Sequence, residues 1–407
     1  MNKKNEIKKC RSCFSEKLIN VLSLGNQYLS DFSKDNYKPT KSPLNLVLCR
    51  NCNLVQLKNT ASPTLLYTDG YGYKSGINNT MKEELQKIVI VSLKKINNHG
   101  KITAVDIGAN DGTLLSYYPK SVFRIAFEPI KKFANECKKH ANVVINDFFN
   151  FKSYEHTLKK EKVDIITAIS CFYDIGNPNS FVRDIKKILR RDGIFVIQQN
   201  YLVGMLMNNA FDNIVHEHLE YYSLLSLENL LSRHGLEIFH VEESTINGGS
   251  FITFISHKKV KSIQESVFRW SEYEKALKLN EVKIYNDFAK RVIRNKKKLY
   301  NLILSLAKKN KTIYVYGAST RGNTLLQYYQ LNNKLIKAAV ERNPEKWGKN
   351  ISSLSIPIIS EEQARREKPD YMLVLPWFFK EEFLQREENY LKSGGHFIFP
   401  LPKLEII

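Results

Sequence analysis

Residues 105–115 read VDIGANDGTLL, which is the end of an apolar strand, a turn with two glycines and the first turn of a helix. Glycines in such a turn allow the backbone to bend tightly and to approach a ligand closely. The G-x-G-x-x-G pattern of a dinucleotide site is absent. The stretch therefore predicts a smaller cofactor without a pyrophosphate; the alternative is an ordinary glycine turn with acids at the surface. The predicted cofactor contacts in this loop are Asp106, Gly108, Asn110, Asp111 and Gly112.

Polar residues also follow the next predicted strands. Glu128 ends the second strand, in AFEP, where this kind of fold places a carboxylate that accepts hydrogen bonds from ribose hydroxyls. Asp147 follows the third strand and is predicted to face an adenine edge, and Ser170 follows the fourth. Together with the glycine loop, these residues predict a nucleoside-bearing cofactor.

The region around the loop alternates apolar strands with amphipathic helices, as in an open α/β sheet. We take residues 81–261 as this central domain, with two late strands pairing antiparallel at its edge. Residues 262–311 contain neither glycine nor proline and predict a long helical connector. The predicted strands are residues 102–107, 122–127, 142–146, 163–170, 193–198, 236–242 and 250–257.

Residues 312–407 predict a second, smaller Rossmann-like domain, so that a cleft for a ligand lies between two α/β units. Its elements are IYVYGASTRGN at residues 313–323, strands at 337–341 and 371–376, and a terminal HFIFPLP.

The start of the first helix in this domain has the composition of an anion site. Ser319, Thr320 and Arg321 place hydroxyls and a fixed cation there, which suits a diphosphate. Glu341 ends the next strand, as a ribose-binding acid would. The alternative is a domain that serves only as a lid.

Four of the six cysteines form two Cys-x2-Cys pairs, Cys10 with Cys13 and Cys49 with Cys52. Disulfides are disfavoured in a cytoplasm, so the pairs predict tetrahedral thiolate coordination of zinc. The alternative is four reduced, buried cysteines. Residues 1–80 are then a small metal-stapled module. Its predicted strands are residues 17–24 and 44–57.

Residues 211–222 read FDNIVHEHLEYY and place His216, Glu217 and His218 in one short run. Three groups that hold or carry a proton near neutral pH are thereby concentrated among aromatic and acidic side chains. An acid–base cluster and a cofactor loop in one chain favour an enzyme.

The composition is that of a soluble globular protein, with 407 residues, 43% hydrophobic and 25% charged. No run of eighteen apolar residues occurs, and the N-terminal MNKKNEIKKC lacks the apolar segment of a signal peptide. We therefore expect a cytoplasmic protein that does not bind a membrane. The net charge of +21 comes from lysines spread over every segment. This predicts a solvated surface that favours anionic ligands, and no nucleic-acid interface.

These motifs together resemble the S-adenosylmethionine-dependent sugar C-methyltransferases that act on nucleotide-linked keto-sugars. The resemblance covers nearly the whole chain and rests on motifs in one order: the cysteine pairs, a Tyr-x-Tyr-x-Ser loop at residues 71–75, DIGANDG, FEP, His-Glu-His, the NGGS of residues 247–250 and YGASTRGN. It implies S-adenosylmethionine and zinc as bound groups, a nucleotide-diphosphate sugar as substrate, and a monomer. The implied reaction moves a methyl group to the sugar carbon next to a ketone, through an enolate.

The resemblance also implies roles for individual residues. His218 would remove the proton next to the ketone, Glu217 would orient or support it, and His216 would be either structural or catalytic. Tyr73 would donate a hydrogen bond to the enolate oxygen. The implied substrate contacts, besides those of the C-terminal domain, are Tyr71, Asn247, Gly248 and Gly249.

The chain departs from the family at two positions. Val215 stands where relatives commonly carry a tyrosine, and Asp174, beside Tyr173, stands where they commonly carry a histidine. Either Asp174 and Tyr173 compensate next to His218, or this branch uses a different sugar or carbon. The alternatives are O-methylation of a sugar hydroxyl, methylation of a different small substrate, methylation of RNA, and a zinc scaffold without catalysis.

Overall fold

The computed structural model describes residues 6–34, 38–66, 73–97, 100–159 and 161–407. Tyr71 lies outside these ranges. The described strands form sheets of four, seven and eight strands. The three sheets correspond to an N-terminal module, a central α/β domain and a C-terminal α/β domain.

The N-terminal module is an antiparallel sheet in which β1 pairs with β3 and β3 with β4. The predicted strand at 44–57 is two strands, because the chain reverses at the second cysteine pair, where the Cys49 N–H donates to the Leu54 carbonyl. The elements are β1 (Leu18–Tyr28), β2 (Phe32–Ser33), β3 (Lys41–Cys49), β4 (Val55–Leu57) and helix α1 (Pro63–Leu66).

The central domain confirms the predicted alternation of strands and helices, with strand ends shifted by a few residues. Its elements are α2 (Asn79–Lys95), β5 (Thr103–Ile107), α3 (Thr113–Ser116), β6 (Phe123–Phe127), α4 (Lys131–Cys137), β7 (Val143–Ile145), α5 (Phe151–Leu158), β8 (Val163–Ile169), α6 (Pro178–Ile188), β9 (Leu189–Asn200), α7 (Leu202–Met207), β10 (Glu220–Tyr221), α8 (Leu224–Arg233), β11 (Leu236–Ser244) and β12 (Ser250–His257).

The strand order of the central sheet is β11-β12-β9-β8-β5-β6-β7. The pairs from β9 to β7 are parallel, and β12 runs antiparallel to both β9 and β11, as the sequence predicts for an edge pair. The carboxyl ends of β5, β6, β8 and β9 therefore meet at one edge of the sheet, where open α/β sheets bind ligands.

The connector is two helices, α9 (Glu265–Ala276) and α10 (Val282–Lys308), and not one. The chain breaks between them, where Lys278 has a φ of 53°, a value outside the helical range. None of the described helices is both long enough and apolar enough to cross a membrane.

The C-terminal domain is a mixed sheet of order β19-β18-β17-β13-β14-β16-β15-β2, so one strand of the N-terminal module completes its edge. The elements are β13 (Ile313–Tyr316), α11 (Thr320–Tyr329), β14 (Ala339–Glu341), β15 (Asn350–Ile351), β16 (Ile356–Ser360), α12 (Glu361–Glu367), β17 (Tyr371–Val374), α13 (Lys380–Arg386), α14 (Glu388–Lys392), β18 (His396–Phe399) and β19 (Glu405–Ile406).

One buried apolar cluster runs through all three domains. It includes Leu46 of β3, Phe195 of β9, Tyr222 and Leu373 of β17. A second cluster lies on the other face of the central sheet, under α2. The N-terminal module, the C-terminal domain and residues 211–222 therefore all pack on the same side of the central sheet.

Candidate active site

A cavity of about 320 Å³ opens at the carboxyl ends of β5, β6 and β8. Its apolar walls include Ile130, Phe148 and Phe149, which the sequence analysis did not select. The two aromatic residues directly after Asp147 are the signal that could have found them. The predicted cofactor residues that line the cavity are Asp106, Gly108, Asn110, Glu128, Asp147 and Ser170.

The glycine loop has the backbone that its sequence predicts. Gly108 and Gly112 have φ values of 69° and 79°, which favour glycine. A Cβ on Gly108 would lie 3.2 Å from the Cys171 Sγ, and a Cβ on Gly112 would lie 3.2 Å from the Cys137 Cα. Neither position therefore has room for a side chain.

Two buried carboxylates lie beside this loop. Glu128 accepts hydrogen bonds of 2.8 Å from the backbone N–H groups of Asn110 and Ile130, one on each oxygen. The Thr167 hydroxyl donates to Asp106 at 2.6 Å, which ties β5 to β8. Burial raises the pKa of each carboxyl to about 7. Each Glu128 oxygen keeps a lone pair that can accept a ligand hydroxyl.

The side chains of the loop hold a neighbouring segment over the cavity. The Asn110 amide donates to the Tyr73 carbonyl at 3.1 Å and accepts from the Ser75 N–H at 3.0 Å. Asp111 accepts from the Gly76 N–H at 2.9 Å and does not line the cavity, which differs from its predicted place at the polar end of the cofactor. These contacts fix Tyr73 in the cavity wall.

The two remaining predicted cofactor residues lie at the rim and at the end of β8. Asp147 is exposed and accepts from the Ser153 hydroxyl and the Asn150 amide. Ser170 has a φ of 55° and donates to the Gln198 Oε1 at 2.7 Å.

A short 3₁₀ helix, Phe172–Asp174, connects this cavity to the His-Glu-His segment. Asp174 lines the cavity. The Tyr173 carbonyl accepts from the Leu219 N–H at 2.9 Å, and the Tyr173 ring contacts the His218 ring edge-on, with centroids 4.4 Å apart. The structure thus brings Asp174, Tyr173 and His218 together beside the predicted cofactor site.

His218 has a defined tautomer. Its Nδ1 donates to the Asn213 carbonyl at 2.8 Å, because a carbonyl can only accept, so Nε2 carries the lone pair. Burial, with a smaller contribution from the Arg321 charge, lowers the pKa of His218 to about 3, which keeps the ring neutral. Neighbouring Glu217 is buried, its pKa is raised to about 7 by burial, and its Oε2 has no hydrogen-bond partner among the described residues.

His216 does not belong to this group. A turn in which the His218 N–H donates to the Val215 carbonyl separates the two histidines. The His216 Nε2 donates to the Ser42 carbonyl of β3 at 2.9 Å, and burial lowers its pKa to about 4. Of the two roles that the sequence leaves open, the geometry favours the structural one, a contact with the N-terminal module.

The four predicted zinc ligands form one cluster, with their sulfur atoms all within 4.8 Å of one another. The Sγ atoms of Cys10 and Cys52 lie 3.6 Å apart, and those of Cys13 and Cys49 lie 3.5 Å apart. Zinc bound to four thiolates at about 2.3 Å requires sulfur atoms roughly 3.8 Å apart. The donor set therefore fits zinc, and the spacing is far too long for a disulfide.

The zinc module is joined to the His-Glu-His segment by backbone pairing. β10 pairs antiparallel with β4, with Tyr221 opposite Val55 and Glu220 opposite Gln56. Gln56 in turn donates from its amide to the Cys10 Sγ at 3.2 Å. The metal cluster and the segment with His218 are thus connected through one short strand.

Arg321 is not the free cation that its position at a helix N-terminus predicts. Its Nε donates to the Asp212 Oδ2 at 2.9 Å, and its Nη1 donates to the Asn247 carbonyl at 3.1 Å. The Trp377 indole N–H donates to the same Asp212 oxygen at 3.2 Å. A buried carboxylate thus already balances the Arg321 charge, and the diphosphate contact at this residue stays a prediction. Asp212 was not predicted as a site residue; its signal in the sequence was an acid between the apolar pairs Ala210–Phe211 and Ile214–Val215.

The other predicted substrate residues have mainly structural contacts. Gly248 packs on Trp377, so that a Cβ there would lie 2.7 Å from the ring, and a Cβ on Gly249 would lie 3.2 Å from the Gly204 Cα. The Ser319 hydroxyl caps α11 by accepting from the Gly322 N–H, and Thr320 is the first residue of that helix.

Three family models match successive parts of the chain. They are a zinc binding domain at residues 10–67, a methyltransferase domain at residues 77–241 and a C-methyltransferase C-terminal domain at residues 245–402. The C-methyltransferase NovU of Streptomyces niveus is 28% identical over 408 residues, which cover 98% of this chain and 97% of that protein.

Solved structures match a little under half of the chain. Magnesium protoporphyrin IX methyltransferase of Synechocystis PCC 6803, with bound S-adenosylmethionine, is 10% identical over 46% of this chain and 88% of its own, with a TM-score of 0.34. The CcbJ methyltransferase of Streptomyces caelestis is 10% identical over 46% of this chain and 99% of its own, with a TM-score of 0.35.

The three domain models follow one another along the chain, and NovU aligns with it from end to end. The four-cysteine cluster and the cavity beside the glycine loop fit zinc and S-adenosylmethionine. The chain is therefore an S-adenosylmethionine-dependent methyltransferase with an N-terminal zinc-binding domain, and it is similar over nearly its whole length to a C-methyltransferase.

Proposed function

We propose that the protein moves a methyl group from S-adenosylmethionine to the carbon next to the ketone of a nucleotide-linked keto-deoxysugar, through an enolate. The observation that carries this proposal is the position of His218. The ring is neutral, it has a fixed tautomer, and it contacts Tyr173, whose neighbour Asp174 lines the cavity with the glycine loop. A base beside a cofactor cavity is the minimum that carbon methylation requires.

His218 acts as the base in this proposal. A C–H bond next to a ketone is acidic enough for a positioned base to remove the proton. The His218 Nε2 takes the proton, the electron pair of the C–H bond forms the C=C bond of the enolate, and the π pair of the ketone moves to its oxygen. The hydrogen bond from Nδ1 to the Asn213 carbonyl stabilises the imidazolium that forms. Glu217, one of whose carboxylate oxygens has no hydrogen-bond partner in the described part of the chain, then accepts or holds a proton near His218.

Tyr73 supplies the hydrogen bond to the enolate oxygen. Its ring lines the cavity, and Asn110 holds its backbone. A donor at the position where negative charge develops contributes about 10²- to 10³-fold in rate. Asp174, with Tyr173 beside it, stands where relatives commonly carry a histidine, and in this proposal the two compensate by orienting His218 and the ketone.

The cavity residues hold the cofactor and exclude water. S-Adenosylmethionine, when bound, supplies an electrophilic methyl group on a sulfonium. Glu128 accepts hydrogen bonds from ribose hydroxyls, and Phe148 and Ile130 enclose the adenine ring. Asp147 at the rim accepts from the adenine edge. These contacts orient the reacting groups, which is the largest contribution that a binding site makes to a two-substrate reaction.

The sugar class rests on the resemblance of the motifs and on the relation to a C-methyltransferase. Ser319, Thr320 and Glu341 are the proposed contacts of the nucleotide part, and Asn247 is a further proposed substrate contact. We propose that the protein works as a monomer in the cytoplasm.

Mass spectrometry of reactions with a panel of nucleotide-linked 4-keto sugars in deuterated water tests this function. We expect one sugar to gain a methyl group, and to exchange the hydrogen next to its ketone for deuterium when cofactor is omitted. Methylation on oxygen, shown by NMR of the product, would replace carbon transfer with O-methylation. Bound cofactor with no methylation of any sugar would contradict the proposed substrate class.

A further inference from the structure

A buried ion pair joins the C-terminal domain to the segment that carries His218. The Arg321 Nε and Nη2 both reach the Asp212 Oδ2, the first at 2.9 Å. The Asp212 side chain is 1% exposed and that of Arg321 is 15% exposed. Paired charges inside a protein add little net stability, since each loses its hydration. Such a pair is therefore better explained by the geometry that it imposes.

This ion pair is one residue away from the group that orients the base. Asp212 and Asn213 belong to the same 3₁₀ turn, Phe211–Asn213. The Asn213 carbonyl accepts from the His218 Nδ1 at 2.8 Å. A shift of Asp212 therefore moves the carbonyl that sets the tautomer and orientation of His218.

The C-terminal domain holds Asp212 from several sides. Trp377 donates its indole N–H to the same carboxylate oxygen, and its ring packs on Gly248. The Arg321 guanidinium also binds the Asn247 carbonyl and lies 4.5 Å from the centre of the Phe378 ring. The N–H groups of the Arg321 guanidinium thus bind groups of the protein itself.

We propose that Arg321 and Trp377 are positioning residues that hold Asp212 and thereby place His218 for proton removal. This inference rests on the proposed function, because it takes His218 as the base. It assigns to the C-terminal domain a part in catalysis besides enclosing the nucleotide. A misplacement of about 1 Å in a reacting group can lower a rate by about 10²-fold.

Kinetics of Arg321→Met, Asp212→Asn and the double variant, with the panel sugar that turns over fastest, test the proposal. We expect kcat and the cofactor-independent deuterium exchange to fall at least tenfold in both single variants. KM for the sugar nucleotide and the affinity for S-adenosylmethionine should stay within about threefold. The double variant should be no slower than the slower single variant, since both remove one interaction.

Two further variants keep the test decisive. Arg321→Lys should recover part of the kcat lost in Arg321→Met, because lysine restores the positive charge but not the planar guanidinium with its several donors. Trp377→Phe removes the N–H to Asp212 and part of the ring that packs on Gly248, and it should lower kcat about threefold, which tests the proposal if Arg321→Met does not fold. Arg342→Met, on an exposed arginine paired with Glu382 in the same domain, is the matched control and should behave as wild type.

A rise in KM at unchanged kcat in Arg321→Met, with Asp212→Asn like wild type, would overturn the proposal and return Arg321 to nucleotide binding. Losses that multiply in the double variant would overturn it as well. If wild-type protein shows no exchange with any sugar, the proposed function itself has failed, which is a separate result.

Discussion

The two Rossmann-like units share one local construction and differ in what fills it. In the central domain, Glu128 accepts from the backbone N–H of Asn110 in the loop after the first strand. In the C-terminal domain, Glu341 accepts in the same way from Ala318, at 3.1 Å. Each carboxylate also accepts from an N–H two residues further along its own chain. The acid at the end of the second strand is therefore part of how this loop is built.

The two loops differ in the side chain that donates to the loop carbonyl, which in the C-terminal unit is a lysine. In the C-terminal unit, Lys346 is buried, donates to the Ala318 carbonyl at 2.7 Å and lies 3.6 Å from Glu341. In the central unit the equivalent carbonyl, that of Asn110, accepts from the Cys137 Sγ at 3.0 Å, and Glu128 lines the cavity. A glycine turn followed by an acid therefore defines the loop, and the side chains around it decide whether the cofactor fits. We therefore assign the cofactor to the central unit.

Removing zinc should have the largest effect and should separate the central unit from its neighbours. Structural zinc contributes about 10–16 kcal/mol to small zinc domains. Metal-stripped protein, or Cys49→Ser, should lose the N-terminal module and with it the β4–β10 pairing beside His218. We expect turnover below about 1% of wild type, with S-adenosylmethionine affinity by calorimetry within about fivefold. Zinc addition should restore the stripped protein but not the variant. If cofactor binding is lost together with turnover, the assignment of the cofactor site to the central unit alone is wrong.

Alanine in place of one loop glycine in each unit, Gly108 or Gly317, should have the second largest effect and should distinguish the two units. Gly108→Ala puts a Cβ 3.2 Å from Cys171 at a φ of 69°, inside the cofactor cavity. We expect S-adenosylmethionine affinity to fall about thirtyfold or more, because the loop must shift. Gly317→Ala is the matched change, with a Cβ 2.9 Å from Pro376. It should lower the melting temperature and leave cofactor affinity within about twofold. Equal losses of affinity would remove the distinction between the units.

Exchanging the two carboxylates for amides should give a smaller difference. Glu128→Gln replaces a charged acceptor of ribose hydroxyls, and hydrogen bonds to charged groups contribute about 1.5–3 kcal/mol, so the affinity should fall roughly tenfold. Glu341→Gln removes the partner of Lys346 and should lower thermal stability while leaving S-adenosylmethionine affinity within about twofold. Calorimetric titration of both variants checks this. A Glu341→Gln variant that loses as much cofactor affinity as Glu128→Gln would place a cofactor contact in the C-terminal domain.

The smallest effect is a pH dependence of cofactor binding. Burial raises the pKa of Glu128 to about 7. Below that pH the carboxyl is protonated and accepts fewer hydrogen bonds, so affinity should rise about fivefold from pH 6 to pH 8. The slope should be reduced in Glu128→Gln, and the remainder should come from Asp106, whose pKa is also raised to about 7. An identical slope in wild type and Glu128→Gln would rule out Glu128 as its source.

The sequence predicts those features of the fold and the site that short stretches of the chain determine. The glycine loop, the strands and the cysteine cluster follow from patterns within a few residues or from ligand chemistry. The pairing of Arg321 with Asp212 joins residues 109 positions apart, and nothing in either neighbourhood indicates the other. The different fates of His216 and His218 depend on a turn in an irregular segment, to which no periodicity applies. The burial of Lys346 beside Glu341 could not be predicted, because the residues around this lysine resemble an exposed loop.

Deuterium exchange next to the ketone, compared between His218→Asn and His216→Gln, tests the central claim most directly. The glutamine amide can still donate to the Ser42 carbonyl, so His216→Gln controls for damage to the module contact. We expect His216→Gln to exchange and methylate within about threefold of wild type. His218→Asn should lose about 10²- to 10⁴-fold in both rates while still binding S-adenosylmethionine. A His218→Asn variant that keeps wild-type exchange within a few-fold would contradict His218 as the base.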